Sequence, residues 1–172
     1  MARNVEIKAR VESIEALRPL VDTLATRGPE VIEQDDTFFR CSSGRLKLRV
    51  FADGRGELIF YRRADEKGPR ESFYICSPTD SPDSLREALS MAFGQTGRVR
   101  KRRTLYMAGR TRIHLDRVEA LGDFIELEVV LDEEEPAEAG IREAEELMRR
   151  LGIERSRLIN VSYLDLLMNR AR

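Results

Sequence analysis

The sequence predicts an α+β fold with antiparallel strands, and two observations carry this prediction. Strand-like segments follow one another in groups separated by short turns that contain glycine, and they do not alternate regularly with helices. Strands joined by short turns pair antiparallel, whereas parallel strands need a long crossover connection. Helical spacing interrupts these groups at four places. With 172 residues, the chain is expected to form one domain over residues 1–172 with a substantial core.

The first half of the chain is expected to contain five strands and one helix. Residues 3–11 alternate apolar and polar side chains, which is the period of a strand with one buried face. Residues 13–27 carry apolar side chains at helical spacing, and Gly28 with Pro29 is expected to end that helix. Further strands are predicted at residues 31–40, 45–52, 56–64 and 70–76, several of them separated by glycine-containing turns.

The second half is expected to add three strands and three helices. Ser81 followed by Pro82 is typical of a helix start, and Gly94 is expected to end this second helix. Strands are predicted at residues 98–108, 111–118 and 123–132, and further helices at residues 137–151 and 161–169.

Bulk composition narrows the classes of function. About a third of the residues are charged but the net charge is −1, so any basic site must be local. No apolar run approaches the roughly 20 residues that span a bilayer, and the polar N-terminus does not resemble a signal peptide. Cys41 and Cys76 match no metal-binding or redox spacing and are expected to be free thiols. A cytoplasmic protein with no membrane partner is therefore expected.

The lysines are few and unevenly placed. Lys8, Lys47 and Lys101 lie in strand-like segments with a charged face, and Lys67 lies in a polar loop. A site that mixes compact ammonium groups with planar guanidinium groups suits an oxygen-rich polyanion such as a triphosphate. Four lysines are also few enough for their positions to carry no meaning.

Several predicted strands have one face that carries charges of both signs. Antiparallel sheets commonly expose one face to water, so these can be ordinary solvent faces. Alternatively, the sheet closes into a barrel and the charged faces line a lumen. Carboxylates there could hold Mg²⁺ or Mn²⁺, and basic groups could hold phosphate oxygens. Periodicity alone does not choose between the two.

Short motifs along nearly the whole chain resemble one family. The segment Asn4-x-Glu6-x-Lys8 is similar to the Glu-x-Glu-x-Lys signature of the CYTH, or triphosphate tunnel metalloenzyme, superfamily. The likeness is greatest to its class IV adenylyl cyclase-like branch, and Asn4 departs from the first glutamate of the pattern. Other similar segments, in the expected order, are residues 34–39, 47–49, 101–103, 114–128 and 162–166.

This resemblance implies a closed eight-stranded antiparallel β-barrel, the triphosphate tunnel, with helices packed outside. It implies that Glu6, Lys8 and Glu126 are catalytic. The implied phosphate-binding residues are Lys8, Lys47, Arg49, Arg62, Lys101 and Arg103, with Arg63 replacing Arg62 if the strand register slips by one. The implied metal ligands, for Mg²⁺ or Mn²⁺, are Glu6, Asp116, Glu126 and Glu128. The implied partners are ATP or tripolyphosphate and a second copy in a homodimer.

The resemblance favours a metal-dependent cyclase that converts ATP into cyclic AMP and pyrophosphate. One alternative is a triphosphatase acting on tripolyphosphate, thiamine triphosphate or a nucleoside triphosphate. Another is a polyphosphate- or nucleotide-binding module whose metal site has decayed, with Asn4 as the sign of it. Nucleic-acid binding through the basic residues 98–103 is the weakest alternative, because no ladder of aromatic residues surrounds them.

A few conspicuous residues have a structural interpretation beside the functional one. His114, the only histidine, is interpreted as structural more readily than as a general base. Tyr163 and Asp165 are interpreted as closing one end of the tunnel, and packing of the last helix is an equal alternative for Tyr163. Asp35 and Asp36 are interpreted as turn or strand-start residues without chemistry.

Overall fold

A computed structural model describes residues 2–63 and 68–171 of the chain, and Lys67 lies outside these residues. Eight strands and four helices are present in this part of the chain, as predicted. In chain order they are β1 Ala2–Arg10, α1 Ile14–Leu24, β2 Arg27–Phe39, β3 Arg45–Phe51, β4 Gly56–Arg63, β5 Arg70–Thr79, α2 Pro82–Phe93, β6 Gln95–Ala108, β7 Thr111–Val118, β8 Gly122–Leu131, α3 Ala137–Arg150 and α4 Tyr163–Arg170, with a 3₁₀ turn at Arg155–Arg157 before α4.

The strands form one closed barrel in the order β1-β5-β4-β3-β2-β6-β7-β8, and every neighbouring pair is antiparallel. β1 closes the barrel because it pairs with β5 on one side and β8 on the other. Each strand therefore turns one face to the lumen and the other to the outside. The predicted α+β fold, a closed eight-stranded antiparallel barrel with helices packed outside, is confirmed.

The main hydrophobic core lies outside the barrel, between its wall and helices α1 and α3. On β1, Val5, Ile7 and Ala9 are fully buried in this core, so the alternating Glu6 and Lys8 point into the lumen. A fully buried valine or isoleucine side chain stabilises the fold by about 1.5–3 kcal/mol relative to its exposed state. A shift of β1 by one residue would place two charges in the core, so the core fixes which residues reach the lumen.

Gly140 lets α3 lie close against the barrel. A β-carbon at this position would come within 2.7 Å of a methyl group of Leu131 and 2.9 Å of one of Val5. These distances are far below van der Waals contact, so a larger residue would push the helix off β1 and β8. Gly140 thereby helps to hold the two strands that carry most of the carboxylates of the lumen.

The start of β2 differs from the sequence prediction. α1 ends at Leu24, and β2 begins at Arg27, so Gly28 and Pro29 lie inside the strand instead of before it. The pairing of β2 with β6 shifts register between Arg27 and Glu30, which accommodates the irregular segment. Gly28 has a φ of +109°, and a β-carbon there would lie 2.8 Å from the carbonyl oxygen of Leu105. The helix ends before the Gly-Pro pair, because the backbone of Ala25 is already extended, and the pair itself lies within the strand.

Helix α4 lies across the end of the barrel at which β1 ends. The segment before it is tied to β1, because the backbone N–H of Ile159 donates to the carbonyl oxygen of Lys8 over 2.9 Å. Ser162 caps α4 in a capping box with Asp165, and Arg45 of β3 donates to both side chains. The buried face of α4 completes a second, smaller core with Phe38, Val99, Val118, Leu121, Phe124, Tyr163 and Leu164.

Among the described residues, none of the helices combines the length and the apolar character needed to cross a bilayer.

Candidate active site in the barrel lumen

A cavity of about 460 Å³ occupies the lumen, and residues from all eight strands and the start of α4 line it. Most of its charged residues are on alternate positions of strands, because only every second side chain points inward. The cations on its wall are Lys8, Lys47, Arg49, Arg63, Lys101, Arg103 and Arg112. The acidic residues are Glu6, Asp36, Glu57, Glu126 and Glu128, and His114 lies among them. Charges that the sequence distributes over the whole chain are thus collected in one cavity.

Three of the cations surround the carboxylate of Asp36. Arg49 donates to both of its oxygens over 2.8 Å, Lys47 donates over 2.9 Å, and the Lys101 Nζ lies 3.9 Å from Oδ2. Burial by itself would raise the pKa of Asp36, but the charges of Arg49, Lys47 and Lys101 outweigh it and hold the pKa well below the ordinary value. Asp36 is therefore a buried anion in the centre of a basic cluster.

The same cluster carries more positive than negative charge. The pKa of Lys101 is lowered well below its ordinary value, first by burial and then by Arg103 and Arg49. The pKa of Lys47 is lowered as well, by burial and by Arg49, although Asp36 is bound to it. One carboxylate thus does not compensate for the neighbouring cations, and a further anion would be stabilised here.

Arg103 links the basic cluster to the carboxylates of β7 and β8. Its guanidinium donates to both oxygens of Asp116 over 2.7 Å and to Glu126 over 3.1 Å. The hydroxyl of Tyr163 also donates to Asp116 over 2.8 Å, so both carboxylate oxygens are engaged. Asp116 is fully buried behind Arg103 and does not line the cavity. Its predicted role as a metal ligand would require it to leave these partners.

Tyr163 forms the floor of the cavity at the α4 end. Its ring packs edge-on against Phe124, with centroids 4.9 Å apart, and the Lys8 Nζ lies 4.0 Å from the ring centroid. The Lys101 Nζ lies 5.1 Å from the same centroid. The two alternatives for Tyr163 are compatible, because the residue packs α4 against the barrel and also lines the end of the cavity.

A histidine and two carboxylates converge on the β7–β8 wall. The Nδ1 of His114 lies 3.4 Å from Oε1 of Glu126 and 3.8 Å from Oε1 of Glu128. One ligand atom from each of the three residues lies within 4.8 Å of the others. Lys8 lies 3.2 Å from the second oxygen of Glu126, and Arg112 donates to Glu128 over 2.9 Å. The position of His114 in this group was not anticipated from the sequence.

Two residues of β1 stand beside this group. Glu6 pairs in register with Glu128 of β8, and its carboxylate accepts hydrogen bonds from Arg63 over 2.9 Å and Arg70 over 3.3 Å. Asn4 is also buried and lines the cavity, and its side-chain oxygen accepts no hydrogen bond from any described residue. A buried carbonyl oxygen without a partner costs free energy unless a ligand satisfies it.

Arg62 does not reach the lumen, which corrects its assignment as a phosphate-binding residue. In β4, Arg62 is exposed on the outside of the barrel, whereas Arg63 lines the cavity. Side chains alternate strictly between the two faces of a strand. A shift of the register by one residue would therefore turn Arg62 inward and Arg63 outward. The alternative that the sequence left open, Arg63, is the residue in position.

The other predicted residues come together. Lys8, Lys47, Arg49, Lys101 and Arg103 line one cavity with Glu6, Glu126 and Glu128. Sequence reasoning gave no role to Asp36, Arg70 or Arg112. For Asp36, its alternation with Gln34 and Phe38 on β2 could have indicated that it shares their face of the strand. Which of these residues bind phosphate, bind metal or catalyse remains a prediction.

The basic stretch 98–103 is divided between the two sides of β6. Lys101 and Arg103 face the lumen, whereas Arg98, Arg100 and Arg102 are exposed. The exposed arginines lie near carboxylates: Arg98 and Arg100 near Asp35, and Arg102 near Glu33. The stretch therefore forms no continuous basic surface of the kind that binds a nucleic-acid backbone.

Apolar side chains also line the lumen. They include Ile32 of β2, Phe51 of β3, Ile59 of β4 and Leu105 of β6. Ile32 pairs in register with Arg103, Ile59 with Lys47 and Leu105 with His114, so apolar and charged side chains alternate around the wall of the cavity.

Comparison with known proteins agrees with this architecture. The family model of the CYTH domain matches residues 2–163. Adenylate cyclase CyaB of Aeromonas hydrophila is 26% identical over 173 residues, which cover 94% of this chain and 87% of that protein. The PH1012 protein of Pyrococcus horikoshii is 26% identical with a TM-score of 0.86, over 95% of this chain and 98% of that one. HpAC1 of Hippeastrum, a protein with a dominant triphosphatase activity, shares the fold at 17% identity and a TM-score of 0.66, over 99% of this chain and 96% of its own.

Proposed function

The chain belongs to the CYTH domain family, and from this premise we propose that it is a divalent-metal-dependent adenylyl cyclase, which converts ATP into cyclic AMP and pyrophosphate in the barrel lumen. Members of the family are adenylyl cyclases or triphosphatases that act on small triphosphate-bearing substrates. One observation carries the proposal, the convergence, among the described residues, of seven cations and a histidine–carboxylate group in one cavity.

The basic residues of the cavity supply the triphosphate site. Lys8, Lys47, Arg49, Lys101 and Arg103 present both ammonium and guanidinium donors, which suit the several oxygens of adjacent phosphates. The neighbouring carboxylates compensate these positive charges only in part, so the site favours a highly charged anion over a neutral ligand. Arg63 adds a further guanidinium at the side of β4.

The donor set fits a hard or borderline divalent cation. Glu126, Glu128 and His114 would hold it, with Glu6 and the unpartnered oxygen of Asn4 on the neighbouring strand. Carboxylate and amide oxygens suit Mg²⁺ and Mn²⁺, and the imidazole nitrogen shifts the preference toward Mn²⁺. A cation bound there would withdraw charge from the phosphate oxygens and make the ribose 3′-hydroxyl more acidic. Asp116 is not included, because it does not line the cavity and is held behind Arg103 by hydrogen bonds from Arg103 and Tyr163.

The chain's own residues orient the substrate and stabilise charge. The basic group fixes the β- and γ-phosphates near α4, so that the α-phosphate lies toward Glu126 and Glu128. The 3′-oxygen attacks the α-phosphorus while the bond from the α-phosphorus to pyrophosphate breaks, and the hydroxyl proton passes to solvent water. Arg103 and Lys8 neutralise the charge that the leaving pyrophosphate gains, which is the main contribution a protein makes to such a transfer.

The apolar side chains of the lumen favour a nucleotide over inorganic tripolyphosphate. Ile32, Phe51, Ile59 and Leu105 provide a surface for the base, which an inorganic substrate does not need. Free thiols at Cys41 and Cys76 agree with a cytoplasmic location, which is part of the proposal.

Product analysis tests the function. The protein is incubated with ATP or inorganic tripolyphosphate, with Mg²⁺ or Mn²⁺, beside Glu126→Ala, Lys8→Ala and the control Arg62→Ala on the outer face. Cyclic AMP with pyrophosphate, lost in the first two variants and kept in the control, is the expected result. Orthophosphate lost in the same two variants would make the protein a triphosphatase. Binding without turnover would leave a binding module and refute the enzymatic proposal.

A further inference from the structure

Asp36 occupies the position of an anion within the basic group of the lumen. Its side chain is 2% exposed, and it receives two hydrogen bonds from Arg49 and one from Lys47, all between 2.8 and 2.9 Å. Lys101 lies 3.9 Å away. The bidentate contact with Arg49 is the arrangement that a guanidinium also makes with two oxygens of a phosphate group.

The cations that hold Asp36 are the same ones that the proposed function assigns to the triphosphate, and the inference rests on that function. In the ligand-free protein their donors are directed at a carboxylate of the protein itself. An incoming triphosphate must therefore share these donors with Asp36 or take them from it.

Asp36 cannot move far from the cluster. It lies within β2, three residues before the end of the strand, where it pairs with Arg49 of β3 on one edge and Val99 of β6 on the other. Thr37, the next residue, accepts a hydrogen bond from Arg86 of α2 on the outer face. The strand is held along both edges and on its outer face, so the carboxylate stays beside the bound anion and repels it.

We propose that Asp36 is an internal counter-anion that stabilises the empty basic site and limits its affinity for phosphates. Without this carboxylate, Lys47, Arg49 and Lys101 would be buried next to one another uncompensated, which disfavours the empty barrel. With it, the cations have a partner to return to when a phosphate product leaves. Asp36 thus lowers the affinity of the site for phosphates, stabilises the protein without ligand and favours release of the product.

Two effects of removing Asp36 oppose each other. Loss of the carboxylate removes its repulsion of the ligand, which strengthens binding. It also removes a group that orients Lys47 and Arg49, which weakens binding. The ligand carries several negative charges close to Asp36 in a cavity shielded from water, where Coulomb interactions are strong. The repulsion therefore outweighs the orientation.

The test compares Asp36→Asn with the wild-type protein by isothermal titration with inorganic tripolyphosphate in the absence of metal. The control is Asp35→Asn, on the opposite face of the same strand, where Asp35 pairs with Arg98. We expect the dissociation constant of Asp36→Asn to fall at least tenfold and that of the control to stay within twofold. Unchanged or weaker binding by Asp36→Asn would overturn the inference and show that Asp36 only positions the cations.

Thermal unfolding provides the second measurement. Asp36→Asn should melt below the wild type without ligand and gain more from tripolyphosphate than the wild type does. If the variant does not fold alone, it should fold when refolded with tripolyphosphate, and failure under both conditions would also overturn the inference. Wild-type protein that binds neither tripolyphosphate nor ATP would refute the proposed function itself, which distinguishes the two failures.

Discussion

Arg63 donates a hydrogen bond of 2.9 Å from Nη1 to the carboxylate of Glu6, across the strand β5 that separates their own strands. The remaining edge of its guanidinium is buried, and neither Nε nor Nη2 has a partner among the described residues. These two N–H groups lie on the same edge of the guanidinium plane. Glu6 therefore fixes Arg63 and leaves the two N–H donors of one edge unpaired among the described residues, and paired donors of this kind match two oxygens of one phosphate group.

We accordingly predict that Arg63→Ala weakens tripolyphosphate binding by roughly ten- to a hundredfold, the range of about 1.5–3 kcal/mol for charge-assisted hydrogen bonds. Isothermal titration measures it directly. The matched control is Arg62→Ala, the next residue on the outer face, which should bind as the wild type does. An equal loss in both variants would indicate a nonspecific effect of charge and contradict the assignment.

The pair Arg62 and Arg63 shows what the sequence can and cannot predict. The alternation within β4 is clear, but consecutive arginines give no hint of which one faces inward. Register is decided by pairing with β3 and β5, where Arg63 lies opposite Ser72 of β5 and Arg62 opposite Phe73. Such long-range pairing is not visible in a local pattern.

Asn4 allows a second prediction. Its buried side-chain oxygen has no partner among the described residues, and the neighbouring Glu6 lies opposite Glu128. Asn4→Glu should tighten Mn²⁺ binding, because a carboxylate is a stronger ligand than a neutral amide oxygen for a hard dication. Without metal, the same variant should be less stable, because a fourth acid joins Glu6, Glu126 and Glu128.

Mn²⁺ titration followed by electron paramagnetic resonance checks the affinity, and thermal unfolding with and without Mn²⁺ checks the linked stability. Asn4→Gln keeps the amide and serves as the control for size. Identical Mn²⁺ affinities in Asn4→Glu and wild type would place Asn4 outside the coordination sphere.

The charged strand faces show a second limit of the sequence. The period of two correctly predicted which residues share a face, and Glu6 with Lys8 or Lys47 with Arg49 do so. The pattern could not distinguish a solvent face from a lumen, because closure depends on β1 pairing with both β5 and β8. The position of His114 beside Glu126 and Glu128 depends instead on the register of the β7–β8 hairpin, in which His114 lies opposite Glu126.

His114 provides the third prediction, which concerns the identity of the metal ligands. If His114 binds Mn²⁺ together with Glu126 and Glu128, pulsed paramagnetic resonance should detect a directly bound imidazole nitrogen. His114→Gln should abolish that signal. It should also weaken Mn²⁺ binding by about tenfold and Mg²⁺ binding less, since imidazole is a better ligand for transition metals than for Mg²⁺. If Mn²⁺ binds to the wild-type protein without a nitrogen signal, His114 is not a metal ligand and only forms its hydrogen bond with Glu126.

The fourth prediction concerns acid stability and Asp116. Burial would raise the pKa of this carboxyl, but the charge and hydrogen bonds of Arg103 outweigh it and lower the pKa below the ordinary value. The pKa of Glu126 is lowered in the same manner, with Lys8 and Arg103 outweighing burial. A carboxyl whose folded-state pKa is lowered stabilises the protein at pH values above its unfolded pKa of about 4. This stabilisation is lost as the pH falls through the folded-state pKa.

The free energy of unfolding should therefore not change through these two groups between about pH 7 and 5, and it should decrease progressively below about pH 4. Asp116→Asn should lower the free energy of unfolding by about 3–5 kcal/mol at pH 7, because the buried Arg103 loses its main partner. Below pH 4 the free energy of unfolding should fall less steeply in the variant, because one carboxyl fewer takes up a proton. The two stability curves therefore converge.

Urea unfolding followed by circular dichroism at pH 7, 5, 4 and 3 measures both effects. Glu15→Gln is the control: its exposed carboxylate binds Arg117 on the surface, where solvent screens the pair, and its curve should follow that of the wild type. Parallel curves for Asp116→Asn and the wild type below pH 4 would show that Asp116 does not contribute to the acid sensitivity of the barrel.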